Sequence, residues 1–416
     1  MGDRISFHRN AFQETMVGLR YTAPEPDLFS QACAEQYQAS DPTRFGYLFA
    51  QVFEPNVLHE TAVLEGMPYD ALAELHHQPT PETAHLAELA AHEGELSVVE
   101  QVNLAAALIS ISRFELSARI LKLAAPRAAG GRESFEVWML AFVVANRCDQ
   151  KADSATAFQR MREAIEAGQI PPDRTLDACA QAVVWHMKPG GGHIAQDDFC
   201  WFLAHGRELT ETPHELDPGA VSSWYRALAM VPAAKGRADE TRAFMLRARD
   251  AADSTLSRRP RAYEKHLLKT YHESSLKEHM YVTRDVDRAA ESGHALIALD
   301  PAWSPSYGEL AEAYAHFGQL TEAAAMYDKA VELGPPYYGH HLLRAAKTHE
   351  KAGNFERALA HYGALSCLVP DNAEVLTAGR DLATSLSHES RRHFVGLLER
   401  LDMQAGERAR HEGNRT

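Results

Sequence analysis

WSPSYGELAEAYAHFGQLTEAAAMYDKAVELGP, residues Trp303 to Pro335, is followed at once by PYYGHHLLRAAKTHEKAGNFERALAHYGALSCLVP, which ends at Pro370. The two stretches match at fixed offsets. Gly318 to Gly353, Ala323 to Ala358, Tyr327 to Tyr362 and Pro335 to Pro370 are each 35 residues apart. The interval from Pro301 to Pro335 is 34. Self-similarity at this period is the mark of stacked helix-turn-helix units. Each residue type has a task in such a unit. Small residues such as Ala311 and Ala323 let two helices approach closely. Tyr307, Tyr314 and Tyr327 fill the space around that contact. Gly318 permits a sharp turn. Pro335 and Pro370 stop the second helix of each unit, and Ser304-Pro305 signals the start of a first helix.

Tyr307, Leu310, Ala311, Tyr314, Gly318, Ala323, Tyr327, Ala330 and Pro335 resemble the motif of the tetratricopeptide repeat family. The second copy departs from it at His349, where an aromatic residue is usual, and at Leu365, where alanine is usual. An earlier half-copy fits Val286, Ala289, Leu296 and Pro301, so the resemblance is specific over about residues 285–370. Over 96–254 it is decayed, with Tyr225, Leu228, Ala229, Gly236 and Ala248 as its traces. The resemblance implies an all-α, right-handed α-solenoid of antiparallel helix pairs.

Outward from this core, the chain is expected to divide into a divergent helical N-terminal region (1–95), degenerate helical repeats (96–254), tetratricopeptide-like repeats (255–370), capping helices (371–402) and a disordered polar tail (403–416). Proline at 24, 26, 42, 55, 68, 79 and 81 breaks the first of these. Amphipathic periods predict helices over Val98–Ile111 and Phe114–Ala125, Glu133–Asn146 and Asp153–Ala167, and Val221–Ala234 and Ala238–Ala252. Gly190-Gly191-Gly192 is read as a flexible link. The final segments Ala373–Ser385 and Ser390–Leu401 fit capping helices.

The composition narrows the function classes. With 42 Lys and Arg against 57 Asp and Glu, the formal charge of −15 disfavours long-range attraction to nucleic acid or an anionic membrane. Five cysteines without a CxxC suggest reduced thiols rather than a disulfide framework or zinc ribbon. Neither an apolar leader nor a membrane span is visible, so a cytoplasmic, bacterial-type protein is expected. Phe158, Met161, Gly168, Pro172, Asp173 and Thr175 resemble one pentatricopeptide unit, but RNA readers need many units.

Reactive constellations are weak. Glu82 and His85 form one Glu-x-x-His pair without a second copy. His272 and His279 lie seven residues apart, and His266 precedes them on the same predicted helix, a spacing that suits packing better than metal ligation. No phosphate loop, nucleophile elbow or HExxH occurs. No catalytic residue, metal ligand or cofactor is therefore assigned, and the chain reads as a binding protein more readily than as an enzyme.

In the tetratricopeptide family the first helix of each unit lines the concave groove. That resemblance places Glu309, Glu312 and His316 in the groove from one unit and Arg344, Lys347 and Lys351 from the next, with Lys265 and Lys269 upstream. The implied function is a scaffold or adaptor that holds a partner protein or an acidic peptide segment. The asparagines by which some relatives clamp chaperone C-termini are missing here. Two rival readings stay open: a peptide-sensing bacterial regulator built on such repeats, and an enzyme or accessory subunit whose site lies in residues 1–250. Self-association through an exposed solenoid end also stays open.

Overall fold

The computed structural model describes residues 88–413, apart from 111–113, 148–150, 169, 189–193, 213–214, 255–261, 300, 302 and 335–336. Residues 1–87 of the divergent N-terminal region, with Glu82 and His85, lie outside the described residues. Among the described residues every regular element is a helix. They fall into two compact units, 88–299 and 300–413.

The first unit holds ten α-helices: α1 (Val98–Ser110), α2 (Phe114–Ala124), α3 (Gly131–Arg147), α4 (Lys151–Glu166), α5 (Pro172–Met187), α6 (Gln196–Glu211), α7 (Pro218–Ala233), α8 (Ala238–Ser254), α9 (Ala262–Glu278) and α10 (Val286–Leu299). Six of them coincide, within three residues at each end, with helices expected from amphipathic periodicity. Their starts show why. Ser97 and Glu100 form a reciprocal capping box at α1, with Ser97 N donating to Glu100 Oε2 (2.8 Å) and Glu100 N donating to Ser97 Oγ (3.3 Å). Asp217 caps α7 by accepting from Ala220 N, and Pro218 occupies the first turn.

Consecutive helices pack as hairpins, α1 on α2, α3 on α4, α7 on α8 and α9 on α10. Around α5 and α6 the pattern changes, because α5 packs on α7 as well as on α6. Large side chains knit the helices around this point. Trp224 of α7 is fully buried against Gly206 of α6, where a Cβ would come within 2.5 Å of the indole. An aromatic chain also ties α3 to α6: Phe142 to Phe158 (4.7 Å between ring centroids), Phe142 to Trp185 (5.7 Å) and Phe158 to Phe202 (5.7 Å). The stretch Phe142 to Ala145 is buried helix, as its period indicated. Helix α9 widens at its end into a π-turn, His279–Thr283, closed by Arg284 in the left-handed region (φ 54°).

The second unit holds three hairpins: α11 (Ser304–His316) with α12 (Leu320–Leu333), α13 (Tyr338–Lys351) with α14 (Phe355–Leu368), and α15 (Ala373–Ser385) with α16 (Arg391–Gly413). The three turns share one hydrogen-bond pattern. Gln319 N reaches Tyr314 O (2.9 Å), Asn354 N reaches His349 O (2.8 Å) and His388 N reaches Ala383 O (2.8 Å). This is the Schellman arrangement, and it needs a residue with positive φ. Gly318 (φ 78°) and Gly353 (φ 79°) supply it in the first two turns, and Ser387 (φ 51°) supplies it in the third. A serine there carries roughly 1 kcal/mol of strain that glycine escapes.

The core confirms the task of the small residues. Tyr327 of α12 is buried between Ala311 of α11 and Ala345 of α13. Tyr338, Leu342, Tyr362, Leu376 and Phe394 extend the apolar contact through the remaining hairpins. One expectation is corrected: the tail expected to be disordered from 403 continues α16 to Gly413. Ala405, Glu407, Arg408, Ala409 and Arg410 are strong helix formers, so the period propagates beyond the last apolar contact.

Candidate functional site

Helices α11 and α13 approach through a glycine. At Gly308 a Cβ would lie 2.6 Å from His341 Nε2, so the backbone of α11 rests against that imidazole. His341 is buried, and burial, reinforced by the neighbouring His340, pushes its pKa down to about 3. The close approach sets the charged side chains of the two first helices around the Tyr327 hydroxyl. Arg344 Nε donates to that hydroxyl at 3.2 Å, and its guanidinium carbon lies 5.9 Å from the centre of the same ring. Burial raises the phenol pKa and the Arg344 contact opposes the rise, while Glu312 and Glu309 lie within electrostatic reach of it. Glu312 and Arg344 also act on His340, which is exposed at the start of α13.

Of the eight sequence-predicted residues, Glu309, Glu312 and Arg344 are thus brought together. Lys347 is exposed and pairs instead with Glu374 of α15 at 3.6 Å. His316, whose ring meets Phe317 edge-on at 5.1 Å, and Lys351 sit exposed at the ends of α11 and α13. Lys269 is half-buried on α9 in the other unit, and the side chain of Lys265 lies outside the described residues. The face is therefore less uniformly basic than the lysines and arginine of α13 alone imply. Arg344 is anchored among acidic neighbours, and the outer cations belong to Lys347 and Lys351.

His341 makes this face sensitive to acid. The unfolded histidine takes up a proton below about pH 6.5, whereas the folded one resists until about pH 3. Stability is therefore complete above the unfolded value and falls as pH drops through that window. Between pH 7 and pH 5.5 the loss assigned to this one group is about 1 kcal/mol. Denaturation of the wild type and of His341→Gln at both pH values checks this. The difference between the two pH values should shrink by about that amount in the variant, and equal slopes would remove His341 as the cause.

On the other side of α13 lies a cluster that the sequence reading did not assemble. Asp328 of α12, His349 of α13 and His361 of α14 present their ligand atoms within 4.8 Å of one another. Asp328 Oδ1 accepts from His349 Nε2 and from His361 Nε2, each at 2.9 Å. Arg357 Nη1 pairs with Asp328 Oδ2 at 2.7 Å, and the two imidazoles stack at 5.5 Å with 21° between their planes. Burial by itself would raise the Asp328 pKa, but the hydrogen bonds from His361 and His349 outweigh it and hold the carboxyl below its usual range. His349 was noted only as a departure from the repeat motif, and that departure was the available signal.

No family model matches the chain, and no curated protein matches it. Several solved structures align with the chain at low identity. A STAND signal-transduction ATPase with a tetratricopeptide repeat sensor, from Pyrococcus horikoshii, is 11% identical with a TM-score of 0.44, over 96% of this chain and 70% of that one. A human IFIT1 dimer with m7Gppp-AAAA is 12% identical with a TM-score of 0.41, over 94% of this chain and 86% of that one. YrrB, a tetratricopeptide repeat protein described as having an unusual peptide-binding site, is 13% identical with a TM-score of 0.26, over 60% of this chain and 91% of that one. At these identities and TM-scores the likeness says nothing about what this chain binds. The repeated hairpins of residues 300–413 stand on their own shared turns and apolar core.

Proposed function

We propose that the chain is a protein-interaction scaffold whose 300–413 unit receives a segment of another protein along its first helices, α11, α13 and α15. The observation that carries this reading is the fixed Arg344. Its guanidinium is held by the Tyr327 hydroxyl and ring, so little side-chain freedom is lost when it meets a carboxylate. Lys347 and Lys351, exposed on the same helix, add positive charge along it. An acidic peptide segment fits that charge. No helix among the described residues is long and apolar enough to cross a membrane.

The test uses fluorescent peptides of equal length and graded net charge, titrated into the intact chain. Acidic peptides should bind best, with affinity falling as salt rises. The double reversal Arg344→Glu with Lys347→Glu should weaken acidic-peptide binding by about tenfold or more, a loss of at least about 1.4 kcal/mol. Far-UV circular dichroism of the variant should keep its helical signal. Undiminished binding by that variant would refute the face as the site.

A further inference from the structure

Asp328, His349 and His361 come from three successive helices, and the repeat does not require any of them. At the 35-residue offset their counterparts are Gly363, Tyr314 and Met326. A tyrosine, a methionine and a glycine complete an ordinary repeat. The residues actually present are two imidazoles and a carboxylate, each departing from its counterpart and all meeting at one point.

Hydrogen bonding accounts for part of the geometry. Both Nε2 atoms converge on a single oxygen, Asp328 Oδ1, at 2.9 Å. The same two distances lie close to those between ligands of a bound metal. Ligand atoms around a tetrahedral ion with bonds of ~2.0–2.1 Å stand about 3.3 Å apart, so each Nε2 would part from Oδ1 by a few tenths of an ångström while the three ligand atoms, now within 4.8 Å of one another, draw in around the ion. Arg357 pairs with Oδ2 of the carboxylate, and the Asn354 side-chain nitrogen lies 3.4 Å from His349 Nδ1. With a metal on Nε2 the imidazole proton sits on Nδ1, and a turn of the Asn354 amide brings its oxygen round to accept it. Such contacts orient ligands in metal sites. The His349 side chain is only 3% exposed, whereas those of His361 and Asp328 are 15% and 19% exposed, which leaves a path to solvent for an ion and for a fourth ligand.

We propose that Asp328, His349 and His361 form a binding site for a first-row divalent metal of the zinc type, closed by a water or another outside ligand, which clips α12, α13 and α14 together. Two imidazoles and one carboxylate suit zinc, cobalt(II) or nickel(II) far better than magnesium or calcium, which prefer oxygen ligands. The ligands belong to two adjacent hairpins, so the ion would fasten one repeat to the next. This site is separate from the peptide-binding face and does not depend on that reading.

Cobalt(II) is the probe, because a four- or five-coordinate site gives it a visible d–d absorption. The full chain is stripped with EDTA, exchanged into chelator-free buffer and titrated with cobalt(II), then with zinc(II) as competitor. One equivalent of cobalt should bind with a visible band, and zinc should displace it. Zinc should also raise the thermal midpoint of the wild type. His349→Tyr restores the residue type of the preceding repeat and should fold, yet it should lose the visible band. His361→Ala should weaken cobalt binding by at least about 100-fold, more than the loss of an outer-sphere partner usually costs. His316→Ala, away from the cluster, should bind like the wild type. A chain that takes up no cobalt at tens of micromolar, or that binds it equally well in both cluster variants, would show that the three residues form a hydrogen-bonded triad and nothing more.

Discussion

Arg174→Ala should destabilise the 88–299 unit by about 3–5 kcal/mol, the usual cost of leaving a buried charge without its partner. Arg174 of α5 forms a two-pronged pair with Glu136 of α3, Nε to Oε1 at 3.0 Å and Nη2 to Oε2 at 2.6 Å. The two side chains are only 5% and 9% exposed. Asp177 accepts from Arg174 Nη1 at 2.9 Å, and the guanidinium carbon stands 5.7 Å from the centre of the Phe135 ring. Removing the arginine strands Glu136 in a site that water reaches poorly. Replacing both partners, as in Arg174→Leu with Glu136→Met, should cost less than the single change, because no unpaired charge remains. Urea unfolding followed by tryptophan fluorescence reads this unit well, since Trp138, Trp185, Trp201 and Trp224 all lie within it. A loss under ~1 kcal/mol for the single variant would mean that the pair behaves like an exposed one.

Phe394→Ala should cost the 300–413 unit a comparable ~3–5 kcal/mol, because the ring is fully buried and leaves a cavity. The ring rests directly on Gly379 of α15, where a Cβ would fall inside the van der Waals envelope of the aromatic edge. Gly379→Ala should accordingly cost about 1–3 kcal/mol by overpacking. The two effects are coupled. In a Phe394→Leu background, Gly379→Ala should become markedly cheaper, since the smaller side chain vacates the space. Thermal unfolding of the four proteins completes the cycle. An equal cost for Gly379→Ala in both backgrounds would place the strain elsewhere than at this contact.

Much of the fold was legible because hydrophobic period and turn chemistry agreed. Helices α1 to α4, α7 and α8 carry amphipathic stripes with clear breaks, and α11 to α14 repeat residue by residue. Helices α5 and α6 were not anticipated. Their register is set by Trp224 lying on Gly206 and by Arg174 reaching Glu136, contacts whose partners are 18 and 38 residues apart and follow no repeat. An arginine in an amphipathic helix reads as a surface residue until its acidic partner is found. The groove residues were legible as types and less so as pairs. Arg344 was named, but its anchor on Tyr327 was not, because that tyrosine had already been assigned to packing. The Asp328, His349 and His361 cluster eluded spacing rules, since metal motifs are usually sought within one helix. These ligands sit on three.

Ser387 occupies the one hairpin turn of the 300–413 unit that lacks glycine, and it belongs to the last hairpin. Among the described residues the α15–α16 hairpin packs mainly on α14, whereas α13–α14 meets helices on both sides. The strained serine therefore sits where the stack is already least secure. Helix α16 should detach before the inner hairpins do, giving up amide protection from the C-terminal end inward while α11 to α14 stay closed. The array thus has a built-in order of unzipping, in which the α13–α14 hairpin that carries Arg344, His349 and His361 stays closed while α16 lets go.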